Sequence, residues 1–170
     1  MNALSDPLVA AYINDNFVST YLKVGKFQII GGQKVGGNVA SYFCLEDGAV
    51  VHALAGPTNA GTLKNEARWA LDIRKSAKTV STSRISGDVN WKRFASHIRH
   101  AHAERFHDRI NTVLGDRNRI PVSMPLRASK EAQTHWLLAK QPLAQLDVIY
   151  PVVWERILNE RLSALPVARR

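Results

Sequence analysis

Cysteine is almost absent from this chain of 170 residues, which contains a single thiol at Cys44. One thiol cannot form an intrachain disulfide, and it cannot supply the several cysteine ligands of a structural zinc site. Dithiol exchange requires an attacking and a resolving thiol, so the sequence does not support that chemistry by itself. Cys44 stands in an apolar run beside Phe43 and Leu45, which predicts a buried and unreactive side chain.

Long apolar runs are also missing from the sequence. No stretch approaches the roughly 20 apolar residues of a membrane-spanning helix, and no basic segment followed by an apolar one opens the chain as a signal peptide would. Together with the scarcity of cysteine, this pattern predicts a cytoplasmic protein that has no membrane partner.

Recognisable catalytic motifs are absent as well. The sequence has no G-x-S-x-G nucleophile elbow, and no paired acidic residues stand out as general acid and base. Residues 31–37 (GGQKVGG) match the glycine spacing of a phosphate-binding loop, but Asn38 and a predicted strand follow where Lys-Ser/Thr and a helix are needed. We therefore predict that the chain has no catalytic residues, is not an enzyme and uses no cofactor.

A stripe of histidines marks a long helix that the apolar spacing predicts over residues 89–114. The stripe consists of His97, His100, Glu104 and His107. Its two ends are too far apart along the helix axis for one metal ion, and Arg99 and Arg105 lie between them. We predict a solvated helix face and no metal site. His102 lies towards the apolar side and is predicted to be a hydrogen-bonded core histidine.

The strongest structural signal lies in residues 36–75. Residues 39–45 and 49–54 are short, nearly continuous apolar runs, and the Asp-Gly pair between them is typical of a tight hairpin turn. They predict an antiparallel strand pair that is covered on both faces. Apolar residues at helical spacing then predict a helix that is capped at Thr58 or Asn59.

This unit resembles the C-terminal half of the thioredoxin fold, in which a corner leads into an apolar strand, a charged glycine turn, a second strand and a last helix. Gly37, Asn38 and Val39 stand at the corner where the family carries its cis-proline, and Gly56 stands at the end of the second strand. The resemblance implies a binding surface at that corner. Residues 6–18 are similar to the helix and strand that follow the active site of the family.

Two parts of the family pattern are missing. Its Cys-x-x-Cys and the strand before it should precede Asp6, and the corner has no proline. The resemblance therefore implies an α/β fold with a thioredoxin-like sheet that lacks its first strand. A strand predicted over residues 17–24 and the one over residues 39–45 would then have open edges. We expect residues 26–30, a neighbouring subunit or a partner protein to fill the gap.

Basic residues are concentrated in the second part of the chain. Residues 1–73 hold 5 Lys/Arg against 6 Asp/Glu, whereas residues 74–170 hold 18 against 8. We predict a truncated thioredoxin-like domain over residues 1–75, a Ser/Thr-rich linker over residues 76–87, and a basic helical extension over residues 88–170 that packs on the domain. The candidate contacts for a polyanion are Lys92, Arg93, Arg99, Arg105, Arg109, Arg117 and Arg119.

Three functions remain open on the sequence. The first is a non-catalytic protein-interaction module that binds a partner protein or a second copy of itself through open sheet edges and apolar C-terminal helices. The second is a nucleic-acid- or polyanion-binding protein that uses the basic extension. The third is a thiol-redox protein, in which Cys44 acts alone or a Cys-x-x-Cys is encoded upstream of Met1.

Overall fold

The computed structural model describes residues 3–21, 27–31, 33–36, 38–110 and 120–162, and it combines α-helices with antiparallel β-strands. The helices are α1 (Pro7–Asn16), α2 (Ala60–Ser81), α3 (Trp91–Arg109), α4 (Lys130–Lys140) and α5 (Leu146–Val152), and the strands are β1 (Phe27–Ile30), β2 (Gln33–Gly36), β3 (Ala40–Cys44) and β4 (Val50–Ala55). A mixed α/β class is therefore confirmed. No helix within the described ranges is both long and apolar enough to cross a membrane.

The predicted hairpin is present as β3 and β4, which pair antiparallel with a bulge between Phe43 and Cys44. Gly48 adopts a φ of 86° in the turn, which is a conformation that glycine tolerates without strain. The Asp47 side chain accepts a hydrogen bond from the Ala49 amide at 3.0 Å and fixes the return of the chain. In the described residues β1 pairs with β2 rather than with β3, so residues 27–30 do not fill the gap that was predicted for residues 26–30.

Helices cover both faces of this hairpin. Val50 and Ala53 share an apolar cluster with residues of α4, α5 and the turn after α5, whereas Val51 packs with residues of α2 and α3. Phe43 of β3 packs with α1 and the start of α2. The first four residues of β4 are buried, whereas β3 is buried only at Phe43 and is partly exposed elsewhere, so the helices cover β4 more completely than β3.

The structure corrects the boundaries of the predicted linker. Helix α2 begins after Asn59, whose side chain caps the Thr62 amide, and it continues to Ser81. Residues 76–81 are therefore helical. Their hydroxyl groups do not break the helix because Thr79 and Ser81 donate to carbonyl oxygens four residues earlier, and Ala77, two residues before Thr79, is fully buried.

The strand predicted over residues 17–24 is not present in its described part, residues 17–21, and residues 22–24 lie outside the described residues. Phe17 ends α1 by donating its amide hydrogen to the Ile13 carbonyl oxygen. Only Phe17 in this stretch is partly buried, whereas Val18 and Tyr21 are exposed. The alternation of the sequence therefore does not correspond to a half-buried sheet face.

The C-terminal helices follow the predicted order with shifted ends. Helix α3 begins after an Asn90 cap rather than at Val89, and the predicted end near Leu114 lies outside the described residues. Ser129 caps α4, since its side-chain oxygen accepts a hydrogen bond from the Ala132 amide at 3.1 Å. Pro151 lies inside α5, where its missing amide hydrogen interrupts the helical bonding, and a π-helical turn (Val153–Ile157) follows.

Candidate metal centre

Three histidines from three different elements meet in the interior. His52 lies on β4, His102 on α3 and His135 on α4, and their side chains are almost completely buried. Each can offer one ring nitrogen such that the three nitrogens all lie within 4.8 Å of one another. We call these three residues the histidine cluster. Three convergent imidazoles are a recurrent ligand set for transition metals in proteins.

Local structure explains how the cluster is assembled. His52 is opposite Phe43 in the strand register, and the two rings stack at 5.8 Å between centroids. On α2, Glu66 and Trp69 are three residues apart and therefore lie on the same helix face. On α3, His102 and Arg105 have the same spacing. These two helix faces and α4 converge on the end of β4 that carries His52.

Hydrogen bonds at Nε2 orient the rings of His52 and His102. Nε2 of His52 lies 3.0 Å from Oε2 of Glu66, and Nε2 of His102 lies 2.9 Å from the Val51 carbonyl oxygen. Because these partners accept, each Nε2 carries the hydrogen and each Nδ1 keeps its lone pair. A carboxylate or carbonyl behind the ring is the usual outer partner of a histidine that binds a metal.

The remaining ring nitrogens of the histidine cluster do not all have a hydrogen-bond partner. Nδ1 of His102 lies 2.8 Å from Nδ1 of His135, and one hydrogen can be shared between them. Nδ1 of His52 and Nε2 of His135 are buried and have no hydrogen-bond partner among the described residues. Each unsatisfied buried nitrogen costs about 1–3 kcal/mol. A cation bound at Nδ1 of His52 would recover this energy at that atom by accepting its lone pair.

An aromatic and ionic shell surrounds the cluster. The Trp69 ring meets all three imidazoles edge-on, with centroid distances of 4.8, 5.1 and 5.6 Å. The Arg105 guanidinium stacks on the Trp69 ring at 3.8 Å and also pairs with the Glu66 carboxylate. Glu66 is therefore shared between His52 and Arg105. The side chain of Arg105 remains 23% exposed, so it connects the cluster to the surface.

The burial of the histidines keeps them uncharged. Burial lowers the pKa of His102 to about 3, and it also lowers the pKa of His52 and that of His135. Burial tends to raise the pKa of Glu66, but His52 and Arg105 outweigh burial and bring the pKa below its ordinary value. Neutral imidazoles beside an ionised carboxylate are the protonation states that a metal site requires.

The spacing of the cluster can be compared with that of a zinc site. Zinc binds imidazole nitrogens at about 2.0–2.1 Å, so two ligands are about 3.4 Å apart in a tetrahedron and at most about 4.2 Å apart. The 2.8 Å between Nδ1 of His102 and Nδ1 of His135 is shorter than the tetrahedral separation, so these atoms would have to move apart by roughly 0.6 Å and give up the hydrogen between them. A nitrogen pair at the 4.8 Å limit would have to approach by roughly half an ångström. A zinc ion therefore requires the three rings to shift from these positions.

The sequence-predicted histidine stripe proves to be divided. His97 and His100 lie towards solvent, where they contact Ser76 and Glu104 respectively. The prediction of a solvated face is wrong for His107, which is 2% exposed, because α3 packs tightly against its neighbours at this end. The prediction that His102 is a hydrogen-bonded core residue is confirmed.

The other predicted site residues do not meet at the histidine cluster, except for Arg105. At the corner, Asn38 donates through its side chain to Oε1 of Glu160 at 2.6 Å, Val39 is exposed, and Gly37 lies outside the described residues. The structure describes five of the predicted polyanion contacts. Lys92, Arg93 and Arg99 are exposed, Arg105 and Arg109 pair with Glu66 and Glu131, and Arg117 and Arg119 lie outside the described residues.

Two members of the cluster, His52 and His135, carry no sequence signal of metal binding, for the same reason. His52 stands in the apolar run VVHALA, and His135 stands beside Trp-Leu-Leu, so neither shares a motif with another metal-binding residue. The one available signal was the presence of an ionisable residue inside each apolar segment, since such residues are buried only with partners. The pairing itself depends on how the helices pack.

Comparisons of this chain with protein-family models, with curated proteins and with solved structures find no match. The thioredoxin-like resemblance therefore stays a prediction, and the functional assignment depends on the geometry of the histidine cluster.

Proposed function

We propose that this chain is a metal-binding protein that holds one transition-metal dication between His52, His102 and His135. The observation that carries this proposal is the convergence of three buried imidazoles whose ring nitrogens lie within 4.8 Å of one another, two of them oriented at Nε2 by a carboxylate and a carbonyl. Imidazole ligands suit zinc, copper, nickel and iron, whereas magnesium and calcium prefer oxygen. Zinc is the ion on which we base the tests.

The burial of the ligands favours a structural role for the ion. The three side chains are 0–1% exposed, and they belong to a strand and two helices that are far apart in the chain. An ion that joins these elements would stabilise the folded state by its binding free energy, because the unfolded chain does not present the three ligands together. At a free zinc concentration about 100-fold above Kd, the gain would be about 2.7 kcal/mol.

A cobalt titration tests this function directly. Protein treated with a chelator should bind one Co²⁺ per chain, with the visible absorption of four-coordinate cobalt, and Zn²⁺ should displace it. His135→Gln should abolish this absorption while retaining the far-ultraviolet circular dichroism of the parent protein. His100→Gln provides a matched control, because this exposed histidine lies on α3 outside the cluster. Cobalt binding that is equal in both variants would contradict the proposal.

The zinc-dependent change in thermal stability gives an answer even if His135→Gln does not fold. Wild-type protein should melt several degrees higher with excess Zn²⁺ than with a chelator, since the ion binds only the folded state. Mg²⁺ at the same concentration serves as the control, because imidazole is a poor ligand for it. Equal melting temperatures in Zn²⁺, Mg²⁺ and chelator would exclude a structural zinc site.

A second proposed function is a non-catalytic, thioredoxin-like interaction module. It is supported by the β3 edge, since β3 pairs only with β4 in the part of the chain that the structure describes. An edge of this kind can accept a strand from a partner or from a second copy of the chain. Light scattering after size-exclusion chromatography should then show a dimer, and Tyr42→Pro in β3 should weaken it. A concentration-independent monomer would count against self-association.

The polyanion-binding alternative is supported by the exposure of Lys92, Arg93 and Arg99 on one helix. If these three residues contact phosphates, replacing all three with Gln should reduce the slope of log affinity against log salt by about 3. Identical slopes for the variant and the parent protein on a labelled duplex would contradict this role.

A further inference from the structure

We infer that Arg105 is a built-in competitor of the metal ion and that it sets the affinity of the histidine cluster through its hold on Glu66. This inference rests on the proposed metal site and concerns the regulation of that site.

His52 and Arg105 share the carboxylate of Glu66. Oε2 of Glu66 is the same atom that lies 3.0 Å from Nε2 of His52 and that pairs with the Arg105 guanidinium. A bound dication polarises the imidazole of His52, and the carboxylate behind the ring stabilises the resulting positive charge. The more Arg105 neutralises the Glu66 carboxylate, the less negative charge remains to stabilise the positive charge on His52.

The charges of the histidine cluster, Glu66 and Arg105 cancel before any ion binds. Three neutral imidazoles, one carboxylate and one guanidinium together carry no net charge, so a dication placed among them would be uncompensated. A buried charge is costly unless it is paired. The Arg105 guanidinium stacks at 3.8 Å on the Trp69 ring, which meets all three imidazoles edge-on, so its positive charge lies close to the cluster and would repel a dication there.

The Arg105 side chain can move away from Glu66 and the histidine cluster. This side chain is 23% exposed, and its guanidinium stacks on the Trp69 ring at 3.8 Å. The guanidinium can therefore swing into water without opening the core. Binding of the ion is therefore thermodynamically linked to loss of the Arg105–Glu66 contact. An anion that binds Arg105 at the surface would strengthen metal binding.

Three variants test the inference by zinc titration against a competing chelator. Arg105→Gln removes the charge and should tighten zinc binding by at least about tenfold, because the repulsion between the guanidinium and the dication is lost. Arg105→Lys keeps the charge but loses the planar stacking, and its affinity should stay within about threefold of the parent protein. Glu66→Gln should weaken binding by about 10–100-fold. Arg99→Gln, an exposed arginine on the same helix, controls for net charge.

The possible results separate this inference from the proposed function. Unchanged or weaker binding in Arg105→Gln, with zinc bound by the parent protein, overturns the inference and leaves the metal site intact. Binding by Arg105→Gln but not by the parent protein supports the inference and restricts the proposed function to conditions that release Arg105. The absence of binding in both overturns the two together.

Discussion

The metal-free protein should lose stability when the pH falls from about 8 to about 5, because the histidine cluster is buried in its neutral form. The pKa of His102 is about 3 in the folded state, chiefly because burial disfavours its charge. The same residue has a pKa of about 6.5 in the unfolded chain. The unfolded state therefore binds more protons between these two values. The stability is complete above about pH 6.5 and is lost as the pH falls below it.

The size of the expected loss of stability follows from the difference between the assay pH and the pKa of His102 in the unfolded chain. At pH 5 the solution lies about 1.5 pH units below the unfolded pKa, and each unit corresponds to about 1.4 kcal/mol, so His102 alone removes about 2 kcal/mol. The pKa values of His52 and His135 are also lowered by burial, and these residues act in the same direction. Glu66 does not contribute in this window, since its pKa lies below the ordinary value of 4.5 and its effect begins only at lower pH.

Urea unfolding followed by circular dichroism, with a chelator present and at constant ionic strength, measures this effect. The free energy of unfolding should fall by at least about 2 kcal/mol between the two pH values, which is a large part of the stability of a small domain. His100→Gln should reproduce the same fall, because this residue is exposed and lies outside the cluster. A free energy that is constant over this range would refute the account of buried neutral histidines.

Two further predictions concern the hairpin. Gly48→Ala should lower the free energy of unfolding by about 1–2 kcal/mol, because its φ of 86° is strained for a residue with a Cβ atom. Gly61→Ala, in the first turn of α2, should be neutral or stabilising in the same urea assay; equal effects would contradict the turn geometry. Cys44 should react with a thiol reagent much more slowly in the native than in the unfolded protein, since burial and then the Asp47 charge raise its pKa. Equal labelling rates would favour the thiol-redox alternative.

The elements that could be predicted from the sequence are those fixed by neighbouring residues. The β3–β4 hairpin follows from two short apolar runs on either side of an Asp-Gly pair, and Asn59 and Ser129 cap helices as their side chains allow. Prediction was weaker where tertiary contacts decide the outcome. Residues 76–81 are rich in Ser and Thr but stay helical, because Ala77 packs in the core between α2 and α3.

The candidate site shows the same limit more strongly. His102 could be placed in the core from its position on the helix, but its contact with His135 spans 33 positions in the chain. No local pattern connects β4, α3 and α4, so the convergence of their histidines depends on the packing of the two helices against the strand. The predicted stripe, by contrast, was visible because all its members lie on one helix, although this same arrangement keeps them from surrounding one ion.

X-ray absorption spectroscopy of the zinc-loaded, full-length protein tests the central claim most directly, since it reports the atoms bound to the ion. We expect nitrogen neighbours at about 2.0–2.1 Å together with the outer-shell scattering of three imidazoles, and the loss of one imidazole in His135→Gln. A spectrum with only oxygen neighbours, or one that is the same in His135→Gln and in the parent protein, would contradict metal binding by the histidine cluster.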